Sequence, residues 1–495
     1  MQHNSIGVTS EIGALKRLLV HSPDSGLGKV VPSKAQDWLF EDIVHLETIR
    51  RKEYDYYVKL LLYFLDPEKI KGRLAEIDDK KNGFDFFKPA SRHFYRSTNV
   101  IEIEWLLAGL LDDKDIRSKL VASVCAIENC SYEVQNELIQ LPSGALAHVF
   151  ITGIYKETEM LFPPVPNFIF TRDIGIVIND YILLNKPAKQ ARTREALLMK
   201  YIFYNHSLFE GYRSKIIELP ENPQQFLLPG DSEQRRVTLE GGDIMVVSPG
   251  HLLIGVSERT SIDAAHLTVK VLFDKNIVKK ISVIKIPPKR DYMHIDTIFT
   301  QVKKNVWVML GNFSKKHVKK EDADDIQKAL DTRKRDEGIS IVQFKRKELA
   351  APVYFDNLED LLIDISRNDL NCTEKVKFIY SGNNEFPFDA REQWTDSCNL
   401  LALKEGVVVG YDRNDKTTQA FIKAGFKAIP VKELLQQLEN DLISAAEIKN
   451  TLILMPSAEL SRARGGFHCM SMPILREEVG RPESEDRRPK LEDRS

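Results

Sequence analysis

The sequence lacks the features that define several common classes of protein. Its five cysteines form no CxxC pair and no even disulfide framework, which favours a reducing, cytoplasmic setting. Apolar runs such as Leu60–Leu65 are far shorter than the roughly 20 residues that cross a membrane. The N-terminus shows no positively charged region followed by an apolar stretch, so we see no secretory signal. We therefore expect a cytoplasmic protein without a membrane partner.

Neither sign of charge is in excess, since 70 Lys and Arg stand against 72 Asp and Glu, for a net charge of −2. This balance argues against a nucleic-acid partner, which requires a basic face. Nucleotide, zinc and serine-hydrolase motifs are also absent, and Gly26–Lys29 only superficially resembles a phosphate-binding loop. With 43% hydrophobic residues, the chain can bury a large core, and 495 residues correspond to roughly three domains.

A repeated pattern organises much of the chain. A strand begins just after an aspartate, reaches a turn, and returns as a second apolar strand, often followed by a helix. Two further segments, Leu15–Asp24 and Leu452–Cys469, are available for a fifth unit. Such repetition predicts an α/β fold in which the modules form a closed ring. The four units begin at Asp173, Asp243, Asp296 and Asp396.

Other stretches do not follow the repeat. Apolar residues at helical spacing predict a helical insertion over 37–137, between a part of the first module at 1–36 and the remaining modules at 138–475. Residues 314–350 are dense in both charges, which indicates a solvated helix or an insertion. The residues after Pro473, assigned to a tail at 476–495, have the composition of a disordered segment.

Polar residues next to the repeated strands suggest chemistry. If the strand starts converge, their carboxylates line one acidic pocket that holds His294 and Cys469. Such a pocket needs a cation, and a planar guanidinium matches carboxylates well. A thiol beside it suggests attack on the guanidinium carbon, helped by a nearby cation that favours the thiolate. The four carboxylates are Asp173, Glu240, Asp243 and Asp296.

Each of these features also has a structural interpretation. A lone cysteine is more often a small buried side chain, a Gly-Gly pair is usually a turn, and an aspartate before a strand can cap a turn. The same placement in three hairpins, together with a glycine-flanked C-terminal Cys469, favours function. We interpret the other four cysteines as structural.

The residues also resemble a known family. Seven segments, in order along most of the chain, are similar to the arginine deiminases of the guanidino-group-modifying (amidinotransferase) superfamily. This resemblance implies a five-bladed, pseudo-symmetric α/β propeller of ββαβ modules with an inserted helical subdomain. The segments are SEIGALKRLLVHSP (Ser10–Pro23), WLFEDI (Trp38–Ile43), PNFIFTRD (Pro166–Asp173), LEGGD (Leu239–Asp243), MHIDT (Met293–Thr297), REQWTDSCN (Arg391–Asn399) and RGGFHCMSMP (Arg464–Pro473).

The resemblance implies hydrolysis of L-arginine to L-citrulline and ammonia through a covalent amidino-cysteine intermediate. Cys469 matches the nucleophile, and His294 matches the general acid and base. Asp173 and Asp296 match the carboxylates that hold the guanidinium, and Glu240 matches the partner that orients His294. Neither a metal nor an organic cofactor is implied.

Other residues match the family's contacts to the amino-acid end of the substrate. Arg192 and Arg259 resemble the arginines that clamp the α-carboxylate. The resemblance also suggests a homodimer or a higher homo-oligomer. Further matches are Asn167 and Phe170 as substrate contacts, Arg464 as a gating arginine near the cysteine, and Asp243 as a support of the pocket.

Some residues depart from the family pattern. Phe467 stands where glycine or proline is usual, and Leu400 replaces a small hydroxyl or β-branched residue. Material around 209–238 and 314–380, with the tail, makes the chain longer than typical members. Alternatives are an amidinotransferase, a deiminase of agmatine or of methylated or peptidyl arginine, and a non-catalytic guanidine-binding protein. A thiol protease fits poorly, because four carboxylates would repel its developing oxyanion.

Overall fold

The chain has a mixed α/β fold. The computed structural model describes residues 5–35, 37–38, 42–79, 86–156, 159–220, 237–314 and 338–479. Within these residues, no helix combines the length and the apolar character needed to cross a bilayer.

Twenty strands form six sheets in the part of the chain that the structure describes. Most are short, and several are buried along their whole length. In chain order the strands are β1 (Leu15–Val20), β2 (Val100–Glu102), β3 (Ile154–Tyr155), β4 (Glu159–Met160), β5 (Gly175–Ile178), β6 (Tyr181–Leu184), β7 (Ile216–Ile217), β8 (Ile244–Ser248), β9 (His251–Val256), β10 (Lys280–Lys285), β11 (Phe299–Lys303), β12 (Val306–Met309), β13 (Ser340–Lys345), β14 (Val353–Phe355), β15 (Lys377–Tyr380), β16 (Leu401–Lys404), β17 (Val407–Tyr411), β18 (Lys427–Pro430), β19 (Thr451–Met455) and β20 (Met472–Arg476).

The helices connect and cover these sheets. Polar side chains begin several of them: Asp113, Ser131 and Ser261 each accept a hydrogen bond from an N–H group of the first turn. In chain order the α-helices are α1 (Pro32–Ala35), α2 (Leu46–Thr48), α3 (Asp55–Leu65), α4 (Leu74–Asp78), α5 (Ile103–Leu110), α6 (Lys114–Ile127), α7 (Tyr132–Gln140), α8 (Ser143–Thr152), α9 (Thr193–Asn205), α10 (Ile262–Asp274), α11 (Leu358–Asp364), α12 (Phe388–Trp394), α13 (Asp415–Lys423) and α14 (Val431–Glu439).

Four sheets share one arrangement, an antiparallel hairpin whose second strand also pairs with a parallel strand. These are β5-β6-β7, β8-β9-β10, β11-β12-β15 and β16-β17-β19, the second and fourth having additional strands. Residues that tolerate positive φ help to make the tight turns, such as Asn179 (φ 53°) after β5 and Gly406 (φ 76°) after β16. The four hairpins predicted from the repeat are confirmed.

A fifth sheet joins the two ends of the chain. Its order is β2-β1-β20, with β1 parallel to β2 and antiparallel to β20. The prediction that Leu452–Cys469 supplies this unit is therefore wrong. The strand in that segment, β19, lies between β17 and β18, and the closing strand follows Cys469.

In four stretches outside the predicted repeat, the structure shows strands that the sequence did not indicate. The helical stretch at 37–137 contains β2, which belongs to the fifth sheet. The described part of 314–380 includes the paired strands β13, β14 and β15, while residues 315–337 lie outside the described residues. Likewise, 209–238 contains β7, and 221–236 are not described. Arg476, assigned to the tail, is buried in β20, and residues 480–495 lie outside the described part.

The sheets are covered by apolar side chains on both faces. Along β8, Ile244 and Val246 join one buried cluster, whereas Met245 and Val247 point into another. This alternation follows from the two-residue period of a strand, and burial on both faces explains the nearly continuous apolar runs. The polar turns that precede the strands are therefore held by a core on either side.

Candidate active site

Three short 3-10 turns bring the predicted aspartates together. The turns Thr171–Ile174, Gly241–Asp243 and Ile295–Thr297 precede β5, β8 and β11, respectively. Two of the aspartates are tied to the next turn: the Gly242 N–H donates to Oδ1 of Asp173 (3.3 Å), and the Ile295 N–H donates to Oδ1 of Asp243 (3.1 Å). The equivalent positions of three hairpins therefore do converge.

A cleft of about 520 Å³, partly open to solvent, lies at this meeting point. Nine of the eleven residues that the sequence indicated line it: Asn167, Phe170, Asp173, Arg192, Glu240, Arg259, His294, Arg464 and Cys469. Four other lining residues were not predicted, namely Met293, Thr297, Ala463 and Gly465.

Asp243 and Asp296 do not line the cleft. Asp243 supports the turns, because its carboxylate accepts hydrogen bonds from the Ser257 hydroxyl (2.6 Å) and the Ile295 N–H. Burial raises the pKa of Asp243 to about 6. Both of its oxygens face the protein, which fits the interpretation of Asp243 as a support of the pocket but not its place among the residues that line the pocket and bind substrate. Asp296 is fully buried against Cys469.

His294 is held as a cation. Its Nε2 lies 3.0 Å from Oε2 of Glu240, and its Nδ1 lies 3.9 Å from Oδ1 of Asp173. Burial alone would lower the pKa of His294, but the charge of Asp173 and the hydrogen bond to Glu240 outweigh it and raise that pKa to about 10. The same contact, with the charge of Arg192, holds the pKa of Glu240 well below its ordinary value despite burial. His294 is thus an acid at neutral pH.

Arg192 occupies the centre of the carboxylates. Its Nη1 lies 2.9 Å from Asp173 and 3.6 Å from Glu240, and its Nε donates to Glu195 (2.8 Å). These charges raise the pKa of Arg192 although burial opposes the shift. We expected this guanidinium to serve a bound carboxylate, but here it neutralises buried acids of the protein.

Glu195 was missed by the sequence reasoning. It lies three residues after Arg192 at the start of α9, and this i,i+3 spacing is the signal that could have revealed it. Burial raises the pKa of Glu195 to about 7, even beside the arginine.

Donor atoms of Asp173, Glu240 and His294 lie within 4.8 Å of one another, a grouping that could hold a metal ion. The donor set argues for a different cation. Arg192 already pairs with both carboxylates, and His294 carries a positive charge of its own, so a divalent ion would meet two cations.

Two other arginines have unused donors. Nε of Arg259, and Nε and Nη1 of Arg464, are buried and have no hydrogen-bond partner among the described residues. Arg464 lies over the ring of Trp394, with Cζ 3.6 Å from the ring centroid. A buried donor without an acceptor costs about 1–3 kcal/mol, so both side chains are suited to receive an anion.

Cys469 is a neutral thiol in this arrangement. Burial raises its pKa well above the ordinary value, and the charges of Asp296 and Asp173 raise it further. Its Sγ donates to Oδ2 of Asp296 (3.5 Å), and its N–H donates to Oδ1 of Asn399 (3.0 Å). Of the two cations expected to favour the thiolate, a neighbouring His⁺ and a bound cationic substrate, His294 does not outweigh burial and the negative charge of Asp296 and Asp173.

A polar network behind Cys469 was also missed. His468 contacts Oδ2 of Asp296 through Nδ1 (2.8 Å), and its Nε2 lies 2.9 Å from Arg172 and 3.2 Å from Glu11. Arg172 and His468 hold the pKa of Glu11 below its ordinary value despite burial. The sequence feature that could have indicated this network is the position of His468 directly before Cys469.

Sequence comparison assigns the family. The model of the family described as "Arginine deiminase" matches residues 142–476, more than half of the chain. The chain belongs to the arginine deiminase family. An arginine deiminase from Clostridium perfringens (strain SM101 / Type A) is 29% identical, covering 96% of this chain and 99% of that protein. One from Staphylococcus aureus (strain JH9) is 28% identical, covering 97% and 100%.

Among solved structures, an amidinotransferase of the saxitoxin biosynthetic pathway from Microseira wollei is 15% identical to this chain. The match covers 96% of this chain and 99% of the other, with a TM-score of 0.44.

Proposed function

We propose that the protein hydrolyses L-arginine to L-citrulline and ammonia through a covalent intermediate on Cys469. The observation that carries this proposal is a thiol and a cationic imidazole, Cys469 and His294, facing one cleft lined by carboxylates. Membership of the arginine deiminase family gives the substrate class.

The carboxylates are suited to hold the guanidinium group. Asp173 lines the cleft, and Oδ1 of Asp296 is a buried acceptor without a hydrogen-bond partner among the described residues. Planar N–H donors from a substrate would satisfy both groups and fix the guanidinium carbon near Sγ. In this proposal the substrate displaces Arg192 from Asp173, because the two guanidiniums compete for the same oxygens.

The bound cation also prepares the nucleophile. Negative charge holds Cys469 as a thiol, and a guanidinium beside Sγ would lower its pKa by the opposite effect. The thiol proton passes to Oδ2 of Asp296, the hydrogen-bond acceptor of Sγ, and on to solvent. Arginine thus activates the residue that attacks it.

Attack by sulfur on the guanidinium carbon forms a tetrahedral adduct. The imidazolium of His294 gives its proton to the departing nitrogen, ammonia leaves, and an amidino-thioether remains on Cys469. The now neutral His294 takes a proton from water, which adds to the same carbon. The second adduct breaks its C–S bond and gives up its hydroxyl proton, so that citrulline leaves and the released thiolate takes a proton to become the Cys469 thiol again.

The amino-acid end of the substrate needs an anion site. We propose that Arg259 binds the α-carboxylate, because it lines the cleft and its buried Nε has no hydrogen-bond partner among the described residues, Oε1 of Glu258 lying 3.9 Å away. Arg464 has two such donors and can serve the same anion or close over it, and Arg192 becomes available once displaced from Asp173. Asn167 and Phe170 line the same cleft.

We also propose that the five sheets of three or more strands are the blades of a pseudo-symmetric propeller. The repeated hairpin with a parallel third strand, and the joining of the first and last strands, support this arrangement. In this proposal the segment between β1 and β2 is a helical insertion, and residues 1–36 begin the first module.

A deiminase of a guanidine without a carboxylate, such as agmatine, is the second candidate. The unpaired donors of Arg259 and Arg464 favour a substrate with an anion. Activity on arginine should exceed that on agmatine. Replacing Arg259 by alanine should reduce the difference in kcat/KM between the two substrates by about 1–3 kcal/mol, because the α-carboxylate of arginine then loses its buried hydrogen-bond partner. A clear agmatine preference in the wild-type protein would refute this use of the arginines.

Rapid quenching during turnover with arginine, followed by mass spectrometry, tests the covalent route. We expect Cys469 to carry the mass of arginine less one ammonia, and we expect Cys469→Ala to form no citrulline while keeping its fold. Cys372→Ala is the matched control, because Cys372 does not line the cleft, and it should keep full activity. Citrulline at the wild-type rate from Cys469→Ala would refute the proposal.

A further inference from the structure

Phe467 packs between two tyrosines from distant parts of the chain. It precedes Cys469 by two residues and is only 1% exposed. The centroid of its ring lies 4.9 Å from that of Tyr57 on α3, at an interplanar angle of 48°, and 4.9 Å from that of Tyr411 on β17, at 62°. Tilted and edge-to-face pairs at this distance contribute about 0.5–1.5 kcal/mol each beyond simple burial.

In the residues 464–469, here called the nucleophile loop, His468 is anchored by polar contacts to Asp296, Glu11 and Arg172, and two of the other positions are glycines. A Cβ on Gly465 would lie 2.3 Å from the ring of Phe170, and one on Gly466 would lie 2.4 Å from the carbonyl of Asn399. Both positions therefore require glycine, which offers no side chain for packing. Phe467 supplies the apolar anchor in the middle of this loop.

Hydrogen bonds fix the backbone of the nucleophile loop close to the ring contacts of Phe467. The Tyr411 hydroxyl donates to the carbonyl of Gly465 (2.7 Å). The N–H of Arg172 donates to the carbonyl of Cys469 (3.0 Å), next to the bond between Cys469 and Asn399. Tyr411 thus holds the loop with both its ring and its hydroxyl, on either side of Gly466.

We propose that Phe467 is a positioning residue, which aligns Sγ of Cys469 by docking the nucleophile loop onto Tyr57 and Tyr411. This inference rests on the proposed function, in which Sγ must approach a bound guanidinium carbon. Most of the groups proposed to act on arginine lie outside the nucleophile loop. Examples are Asp173, Arg259 and His294. Loss of the Phe467 contacts should therefore slow the chemical step and leave substrate binding largely intact.

The decisive comparison is between kcat and KM. In Phe467→Leu we expect kcat for citrulline formation to fall about tenfold, and in Phe467→Gly about a hundredfold, since a misplacement of ~1 Å has effects of that size. KM for arginine should stay within about twofold of the wild type. Unchanged kcat in both variants would refute the inference.

Phe421→Leu is the matched control for loss of a buried aromatic ring. Phe421 is fully buried, forms an edge-to-face pair with Phe426 (5.3 Å), and does not line the cleft. Its variant should lose as much thermal stability as Phe467→Leu and keep the wild-type kcat. If both variants lose kcat in step with stability, Phe467 has only a structural role and the inference is wrong.

A double-mutant cycle tests the coupling to α3. Tyr57→Leu removes one face of the packing, so the double variant with Phe467→Leu should have nearly the kcat of the slower single variant. Additive losses in kcat would contradict docking through Tyr57.

Alkylation separates this inference from the proposed function. The rate at which chloroacetamidine, a small cationic reagent, labels Cys469 reports the placement of Sγ without any deiminase turnover. We expect this rate to fall about tenfold in Phe467→Leu, and a wild-type rate would overturn the inference. Failure of the wild-type protein to form citrulline would instead refute the proposed function.

Discussion

Opposite charges alternate along the buried wall of the cleft. Arg192 is surrounded by Asp173, Glu195 and Glu240, and Glu240 also contacts His294. An isolated buried charge is very unfavourable, whereas a paired one can be retained. A substrate cation that binds Asp173 must therefore replace Arg192 there, whereas Oδ1 of Asp296 has no hydrogen-bond partner among the described residues to displace.

Replacing Glu240 by glutamine should shift the alkaline limb of the kcat profile to lower pH. The carboxylate lies 3.0 Å from His294 and helps to raise the pKa of that imidazole from 6.5 to about 10. Loss of one opposite charge at this distance lowers the pKa by about 1–3 units. The acid form of His294 is lost as the pH rises through the folded pKa, so the variant should lose activity earlier. Citrulline formation between about pH 6 and about pH 10 measures the shift.

Glu195→Gln provides the control for the pH profile. It removes a carboxylate that contacts Arg192 but not His294. Arginine binding should change in this variant, while the alkaline limb stays at the wild-type position. Equal shifts in the two variants would show that His294 does not set that limb.

Residue types indicated most of the cleft, because buried charge next to apolar strands is costly unless it is used. The partners of those residues were harder to predict. His468 and Glu11 interact although 457 positions separate them, and no local pattern encodes such a pairing. The pairing of Arg192 with Asp173 and Glu240 was missed for the same reason, since charge alone does not identify the nearest counter-ion.

The 3-10 turns before β5, β8 and β11 are the elements that build the site. They place one acidic side chain each at the start of a buried strand, and for Asp173 and Asp243 the next turn supplies an N–H that holds the carboxylate. Close approach of the turns leaves little room. A Cβ on Gly242 would lie 2.5 Å from Nδ1 of His294.

Gly242→Ala should displace His294 and reduce kcat. The imidazole is buried and held by Glu240, so it cannot move aside without losing that hydrogen bond. We expect a loss of about a hundredfold, the typical effect of a ~1 Å misplacement, measured as citrulline formation at saturating arginine.

The other end of the same hairpin offers a matched substitution. A Cβ on Gly250, in the turn between β8 and β9, would meet only the side chain of Lys279 at 3.8–4.0 Å. Gly250→Ala should therefore keep the wild-type kcat and stability. If both alanine variants behave alike, contact with the His294 ring is not the cause.

The sequence predicted helices and strands well where the hydrophobic pattern extended over many residues. The hairpins and helices such as α10 and α13 have clear periodicity and turn residues. By contrast, β2 has three residues and lies within a helical stretch, and β15 has four residues after a charged stretch. Strands this short show no recognisable hydrophobic period. They are defined by their pairing, β2 with β1 and β15 with β12.

The whole molecule is held together by its first and last strands. Besides the pairing of β1 with β20, Nη1 of Arg476 donates to the carbonyls of Gly13 and Ala402, each at 2.8 Å. Length alone indicated about three domains, but the sheet that contains β1 and β20 links segments from near the two ends of the chain. This link is a long-range contact that composition and length could not reveal.

A chain that ends at Ser471 should fail to fold cooperatively and should form no citrulline. It lacks β20, including the fully buried Ile474 and Met472. Burial of each such side chain contributes about 1.5–3 kcal/mol, a large part of a typical stability of about 5–15 kcal/mol once the strand pairing is also lost. Thermal unfolding followed by circular dichroism, with a chain ending at Val479 as the reference, tests this. A cooperative transition within about 5 °C of the reference would contradict it.

The position of β20 also has a consequence for biosynthesis. β1 is translated first, yet its antiparallel partner is made last, after the codon for Cys469, with Gly13 and Arg476 separated by 463 positions. A chain that stops before residue 469 therefore carries the acidic residues of the cleft without the nucleophile. One that stops between Cys469 and β20 has the nucleophile but lacks the strand that closes the fifth sheet, so this sheet can form only after β20 is made.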